Sequence, residues 1–225
     1  MEKVWSILAC ARAMRLLLLF GAFLASALPP PWPQQFIATV ETTAHLVDRS
    51  KDYPPWFRRV EVYYDSVNLR ARAAVTDGID AGKVFTRRYD KKQEFMVRGG
   101  EYAECQRSYL GDSMPKSALP ADAAKVGTAQ IDGRPHDHWL AEVPGYERSH
   151  AYFDAETGAP RRLVHEAVNA SGDYVTIMTY DILDFRFEAP AESLFELESP
   201  WASDSCNRHV GGWAYLHLFH HYFSI

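Results

Sequence analysis

The sequence predicts a mainly β protein: a single sheet of antiparallel strands that must curl or close. Three observations predict this class. Apolar side chains recur with a period of two along most of the chain. Gly, Asn and Pro fall between those runs at hairpin spacing. Few stretches read as helix.

The clearest run is residues 147–187. It opens Glu147-Arg-Ser-His150-Ala-Tyr-Phe-Asp154, turns at Glu156-Thr-Gly158-Ala-Pro160, and resumes at Arg161 as far as Val168. A second turn, Asn169-Ala-Ser-Gly172, leads into residues 173–187. Aromatic and β-branched residues fill these runs, as strands require.

Residues 1–27 read as a leader. Lys3, Arg12 and Arg15 accompany the apolar run from Leu16 to Leu24, about ten residues and too short to cross a bilayer. Ala25-Ser-Ala27 is a small-x-small cleavage site. The expected product is one domain over residues 28–225, secreted or held in a secretory lumen, without an integral membrane segment.

Residues 28–33 form a Pro-rich lead-in, expected to be extended and mobile. The first strand should lie within 35–47, with Phe36, Ala38 and Val40 on one side. Over 57–65, Val60, Val62 and Tyr64 oppose Arg59, Glu61 and Tyr63; over 68–75, Leu69, Ala71, Ala73 and Val75 oppose Arg70 and Arg72. Residues 83–89, 93–97 and 102–108 continue the pattern. Residues 112–126, with Met114-Pro115 and Leu119-Pro120, break it and form a candidate lid. A hairpin follows, turning at Asp132-Gly133 between 127–131 and 136–143. Pro190–Phe195 reads as a short helix. The expectation is nine to eleven strands, too many for a flat sheet.

The net charge of −5 becomes more acidic once the leader is removed, which argues against a nucleic-acid partner. Cys105 and Cys206 remain outside the leader and should pair in an oxidising compartment. Asn169-Ala-Ser171 is a glycosylation sequon on a turn.

Catalytic signatures are scarce. There is no Gly-x-Ser-x-Gly elbow and no phosphate-cradling glycine loop. Asp181 and Asp184 read as solvated carboxylates at a strand bend. His217, His220 and His221 are the sharpest local cluster; on a helix they would suit Zn²⁺ or Cu²⁺ with help from His136 and His138, although the Glu of a His-Glu-x-x-His motif is absent. Packing histidines in an apolar tail are the more economical reading, so no metal and no cofactor are expected. Arg58, Arg59, Arg70, Arg72, Arg87 and Arg88 read as the solvated outer face of the sheet.

Tyr152-Phe-Asp154, Thr157-Gly158-x-Pro160-x-Arg162-Leu163, Met178-Thr-Tyr180-Asp181, Asp184-Phe185-Arg186 and Phe195-Glu-Leu197 together resemble the back half of LolA-like proteins. Tyr63–Asp65 and Asn68–Arg72 are similar to the early strands of ependymin-related secreted proteins. The resemblance covers about residues 36–197. Two cysteines outside the leader, no lipid-attachment cysteine and a His/aromatic tail depart from both families. What the resemblance implies is a single curved antiparallel sheet or half-open barrel with short covering helices, whose concave apolar face binds acyl chains or other hydrophobic ligands.

Strand parity and side-chain size give Val62, Tyr64, Ala73, Phe95, Trp139, Phe153, Met178 and Tyr180 as cavity positions. The expected function is non-enzymatic binding of a lipid or other hydrophobic small molecule. A metal-dependent enzyme built on the histidine tail and an extracellular adhesion or structural module are the alternatives. Oligomeric state is left open.

Overall fold

A computed structural model describes residues 30–45, 56–111, 113–115 and 118–211. The leader and the histidines at 217, 220 and 221 lie outside the described residues.

Twelve strands join in one sheet: β1 (Gln35–Ala44), β2 (Trp56–Asp65), β3 (Arg70–Gly78), β4 (Lys83–Arg88), β5 (Gln93–Arg98), β6 (Glu104–Tyr109), β7 (Ala124–Ile131), β8 (Arg134–Val143), β9 (Glu147–Asp154), β10 (Pro160–Val168), β11 (Tyr174–Arg186) and β12 (Asn207–Arg208). Their order is β12-β6-β5-β4-β3-β2-β1-β11-β10-β9-β8-β7. Every neighbour pair is antiparallel except β12 with β6, which is parallel. The sheet is open, because β7 and β12 occupy opposite ends of that order. The expected fold class is therefore the one that forms.

Turn chemistry closes the hairpins where the sequence placed them. Asp132 and Gly133 both have positive φ (52° and 75°), the two-residue turn whose twist suits β7–β8. Gly78 has φ 79°, and a Cβ there would sit 2.2 Å from the Phe57 carbonyl oxygen, so only glycine fits that crossing of β2 and β3. Asn169 Oδ1 accepts from the backbone N–H of Ser171 (2.9 Å) and Asp173 (3.0 Å), which fixes the β10–β11 turn.

Central β1 pairs with β2 on one side and β11 on the other. After β6 the chain must reach β7 at the far edge, and it does so through residues 110–123. Ten strand spacings of about 4.8 Å separate those edges in a flat sheet, about 48 Å. A fully extended connection of this length reaches only about 50 Å. It instead turns at Pro120–Ala123 and touches the sheet at Tyr64, so the sheet must bend to bring its edges together.

One face carries the main core. Phe36, Ala38 and Val40 meet Tyr64, Val62 and Val60 in register, and those meet Ala71, Ala73 and Val75. Phe85, Met96, Trp139, Ala151, Phe153, Tyr180 and Ile182 extend the same cluster across both halves of the sheet. Among the described residues, this face is covered by Trp32 and the 110–123 connection, neither in regular secondary structure, where short helices were expected. The lead-in is not loose. Trp32 packs edge-on against Phe153 and Phe185 at centroid distances of 6.1 and 6.2 Å.

The opposite face carries a smaller core beneath the C-terminal segment. Phe95, Val97, Leu197 and Trp201 gather around the Cys105–Cys206 disulfide. The short 3₁₀ helix Glu192–Phe195 lays Phe195 under the Arg70 guanidinium, 4.7 Å from the ring centroid. Arg72 donates to the Leu194 carbonyl (2.7 Å), and Arg88 pairs with Asp90 (2.8 Å) and Glu196 (2.5 Å). The arginine stripe read from the sequence as solvated is thus largely buried and paired. Arg70, Arg72 and Arg88 share the face that this strap covers, and the strap comes from a distant part of the chain; Arg58 and Arg87 lie on the apolar face, and Arg59 stays partly exposed.

Candidate functional site

The candidate site is the apolar face together with its cover. Of the eight cavity positions, Val62, Tyr64, Ala73, Trp139, Phe153 and Tyr180 are buried on this face, and Met178 packs at its margin. Phe95 lies on the other face, against the disulfide. Glu94, Phe95 and Met96 are buried consecutively because β5 is covered on both sides, so parity there could not choose a face. Met96 holds the position assigned to Phe95. Trp32, Phe36, Met114, Leu119 and Phe185 belong to the face but were not among the expected positions. Trp32 had a signal, a lone large aromatic inside a proline run.

The cover meets the sheet with a cleft at each flank. The first, about 360 Å³, is lined by Trp32, Tyr64, Ser66, Leu69, Met114 and Pro115, with Pro33, Gln34 and Ala118 at its rim. The Tyr64 hydroxyl crosses it to donate to the Pro115 carbonyl (2.8 Å). The second, about 250 Å³, lies between Pro120 and Asp122 of the cover and Ala141, Glu142, Val143, Glu147, Arg148 and Ser149 of β8 and β9.

Below the first cleft, Asp65 is wholly buried and accepts from Gln35 Nε2 (2.8 Å), Asn68 Nδ2 (2.8 Å), the Asn68 amide (3.1 Å) and Arg70 Nε (2.9 Å). Burial alone would raise this carboxyl, but those donors outweigh it and hold it below the ordinary carboxylate value. Its contribution to stability is therefore complete above the unfolded pKa of about 4 and fades as pH falls through the folded value. Thermal midpoints between neutral pH and strong acid should show Asp65→Asn less stable at neutrality, with a shallower acid-side loss than wild type. Parallel acid-side curves would mean that Asp65 does not titrate with folding.

Among the described residues, Trp139 Nε1 and Thr42 Oγ1 are buried on this face without a hydrogen-bond partner. Such a donor costs about 1–3 kcal/mol unless something satisfies it. Tyr180, beside Thr42 on this face, has its phenol pushed up to about 12 by burial, against the opposing pull of Arg58.

The outer face of β8–β11 is polar instead. His138 lies 2.9 Å from His150, which lies 3.2 Å from Glu166, and Tyr152 stacks on His138 at 4.5 Å. Asp181, weighed as a catalytic acid, is engaged by Arg162 (2.6 Å), and Asp184 faces Arg186 (3.3 Å). They serve separate ion pairs.

Fold and site together define an open antiparallel sheet whose apolar face is roofed by the segment that links its own edges. No family model matches this sequence, and no curated protein matches it. Solved structures do resemble it. An uncharacterized conserved protein from Thermus thermophilus aligns over 79% of this chain and 91% of its own, at 12% identity and a TM-score of 0.51. The Pseudomonas aeruginosa MucA/MucB complex aligns over 73% of this chain and 56% of that one, at 16% identity and a TM-score of 0.45. A LolA superfamily protein from Nitrosomonas europaea aligns over 74% and 92%, at 11% identity and a TM-score of 0.35. At these identities the T. thermophilus protein shows a shared chain path and nothing more.

Proposed function

We propose that this protein carries a hydrophobic ligand, a lipid or an acyl chain, between the apolar face of its sheet and the 110–123 cover. The observation that carries the reading is the cover itself. An apolar face spanning eight strands is closed by irregular chain with a cleft on either side, not by a second sheet or a helical layer. The unpartnered Trp139 indole N–H adds to it, since an ester or hydroxyl oxygen of a ligand would complete that donor. The resemblance of residues 36–197 to LolA-like and ependymin-related proteins implies the same kind of cargo. The leader, the Cys105–Cys206 bond and the sequon at Asn169 support a secreted or lumenal site of action.

Nile red, a neutral apolar dye, tests the reading. It should brighten on binding and be displaced stoichiometrically by dodecanol, and Trp139→Ala should weaken dodecanol more than His217→Ala does. Equal effects would remove the cavity assignment. A protein that neither brightens the dye nor binds dodecanol is not a carrier.

A further inference from the structure

The second cleft has a polar floor. Ser149 on β9 lies directly opposite His165 on β10, with Ser149 Oγ 3.1 Å from His165 Nδ1. Glu147, two residues earlier on the same face of β9, brings its carboxylate within 3.5 Å of His165 Nε2. A carboxylate only accepts, so the ring proton belongs on Nε2, toward Glu147. Nδ1 then accepts the Ser149 proton and leaves the serine oxygen lone pairs to the cleft. Burial keeps the imidazole below its ordinary value despite the pull of Glu147 and Glu166, so the ring stays uncharged near neutral pH.

The floor therefore offers acceptors: Ser149 Oγ and the half-exposed Glu147 carboxylate, with Asp122 from the cover at the rim. Arg148 and Glu142 also line the cleft, but among the described residues the nearby cations are committed elsewhere. Arg148 pairs with Glu166 on the outer face, and Lys125 pairs with Asp137 (2.7 Å). Glu142 accepts from the Tyr174 hydroxyl, also on the outer face. From this floor the sheet turns apolar at once. Ala141 is paired with Ser149, Trp139 with Ala151, and Phe153 lies about 13 Å along β9, in contact with Trp32 at the first cleft.

We propose that the second cleft is a head-group site, and that the amphiphile it seats bears a protonated amine with its alkyl chain running under the cover toward Trp32. This rests on the carrier reading and adds the chemistry of the head. An ammonium donates to Ser149 Oγ and Glu147 and is drawn by Asp122. A carboxylate or phosphate head meets Glu147 and Asp122 as like charges and, among the described residues, only a cation that is already paired, Arg148.

The test is displacement of Nile red near pH 7.5 by dodecylamine, dodecanol and dodecanoate, each below its aggregation concentration. Dodecylamine should displace the dye at about tenfold lower concentration than dodecanoate, with dodecanol between them, the combined size of one partly exposed attraction and one repulsion. Glu147→Gln should bring the two charged probes to within about threefold of each other, with a wild-type thermal unfolding midpoint showing that the variant folds. Equal displacement by all three probes, tighter dodecanoate, or an amine preference that survives both Glu147→Gln and Asp122→Asn overturns the head-group proposal while dodecanol binding keeps the carrier. Failure of every probe removes the carrier reading and the head-group site with it.

Discussion

Glu94→Ala should destabilise the protein by about 3–5 kcal/mol in urea unfolding, because it strands a charge inside the sheet's main core. Arg87 Nε meets Glu94 Oε1 at 2.8 Å, and the two side chains are 4% and 1% exposed. They sit on the apolar face, paired across β4 and β5 beside Phe85 and Met96. Arg87 also approaches the Tyr89 hydroxyl (3.4 Å), a neutral group that does not replace a counter-ion. Replacing both partners with leucine should be close to neutral or stabilising, since the pair's attraction is largely offset by its desolvation. If the double variant is as unstable as the single one, the pair contributes shape or further hydrogen bonding that charge alone does not describe.

Cys206→Ala should cost about 2–5 kcal/mol, because the bond to Cys105 closes a separation of 101 residues. It also anchors the strap whose Phe195, Leu197 and Trp201 cover the back of β3–β6. Without it the strap retains the pairs of Arg72 with Glu198 and Arg88 with Glu196, whose acidic partners are more than half exposed. Such pairs are weak and screened by salt. Amide exchange in β6 should therefore accelerate in the variant, and more so at high ionic strength. An exchange pattern identical to wild type would show that the strap holds by apolar contact alone.

Most strands were legible because one buried face writes a period of two into the sequence. β2, with Val60, Val62 and Tyr64, and β3, with Ala71, Ala73 and Val75, are the plainest examples. Turns were legible where special backbone is needed, as at Asp132-Gly133. What sequence could not show was anything set by distant chain. The strap over β3–β6 turned an apparent solvent face into buried arginines and made Glu94-Phe95-Met96 ambiguous. Trp32 and the cover touch the face from segments with no periodicity of their own. The Ser149–His165–Glu147 array was invisible for a related reason, because it exists only once the β9–β10 register is known.

The passage of residues 110–123 from β6 to β7 ties together the two ends of a strip that would otherwise be free to flatten. Its length acts as a gauge: the shorter the tie, the tighter the bend and the narrower the chamber beneath it. For a protein that carries a hydrophobic ligand, loading then becomes mechanical. Any occupant that raises the tie must also change the arc of the strands, and anything that stiffens the strands resists loading from a distance. Chamber width would be tuned most directly by adding or removing residues in this one segment, leaving the wall of the chamber untouched.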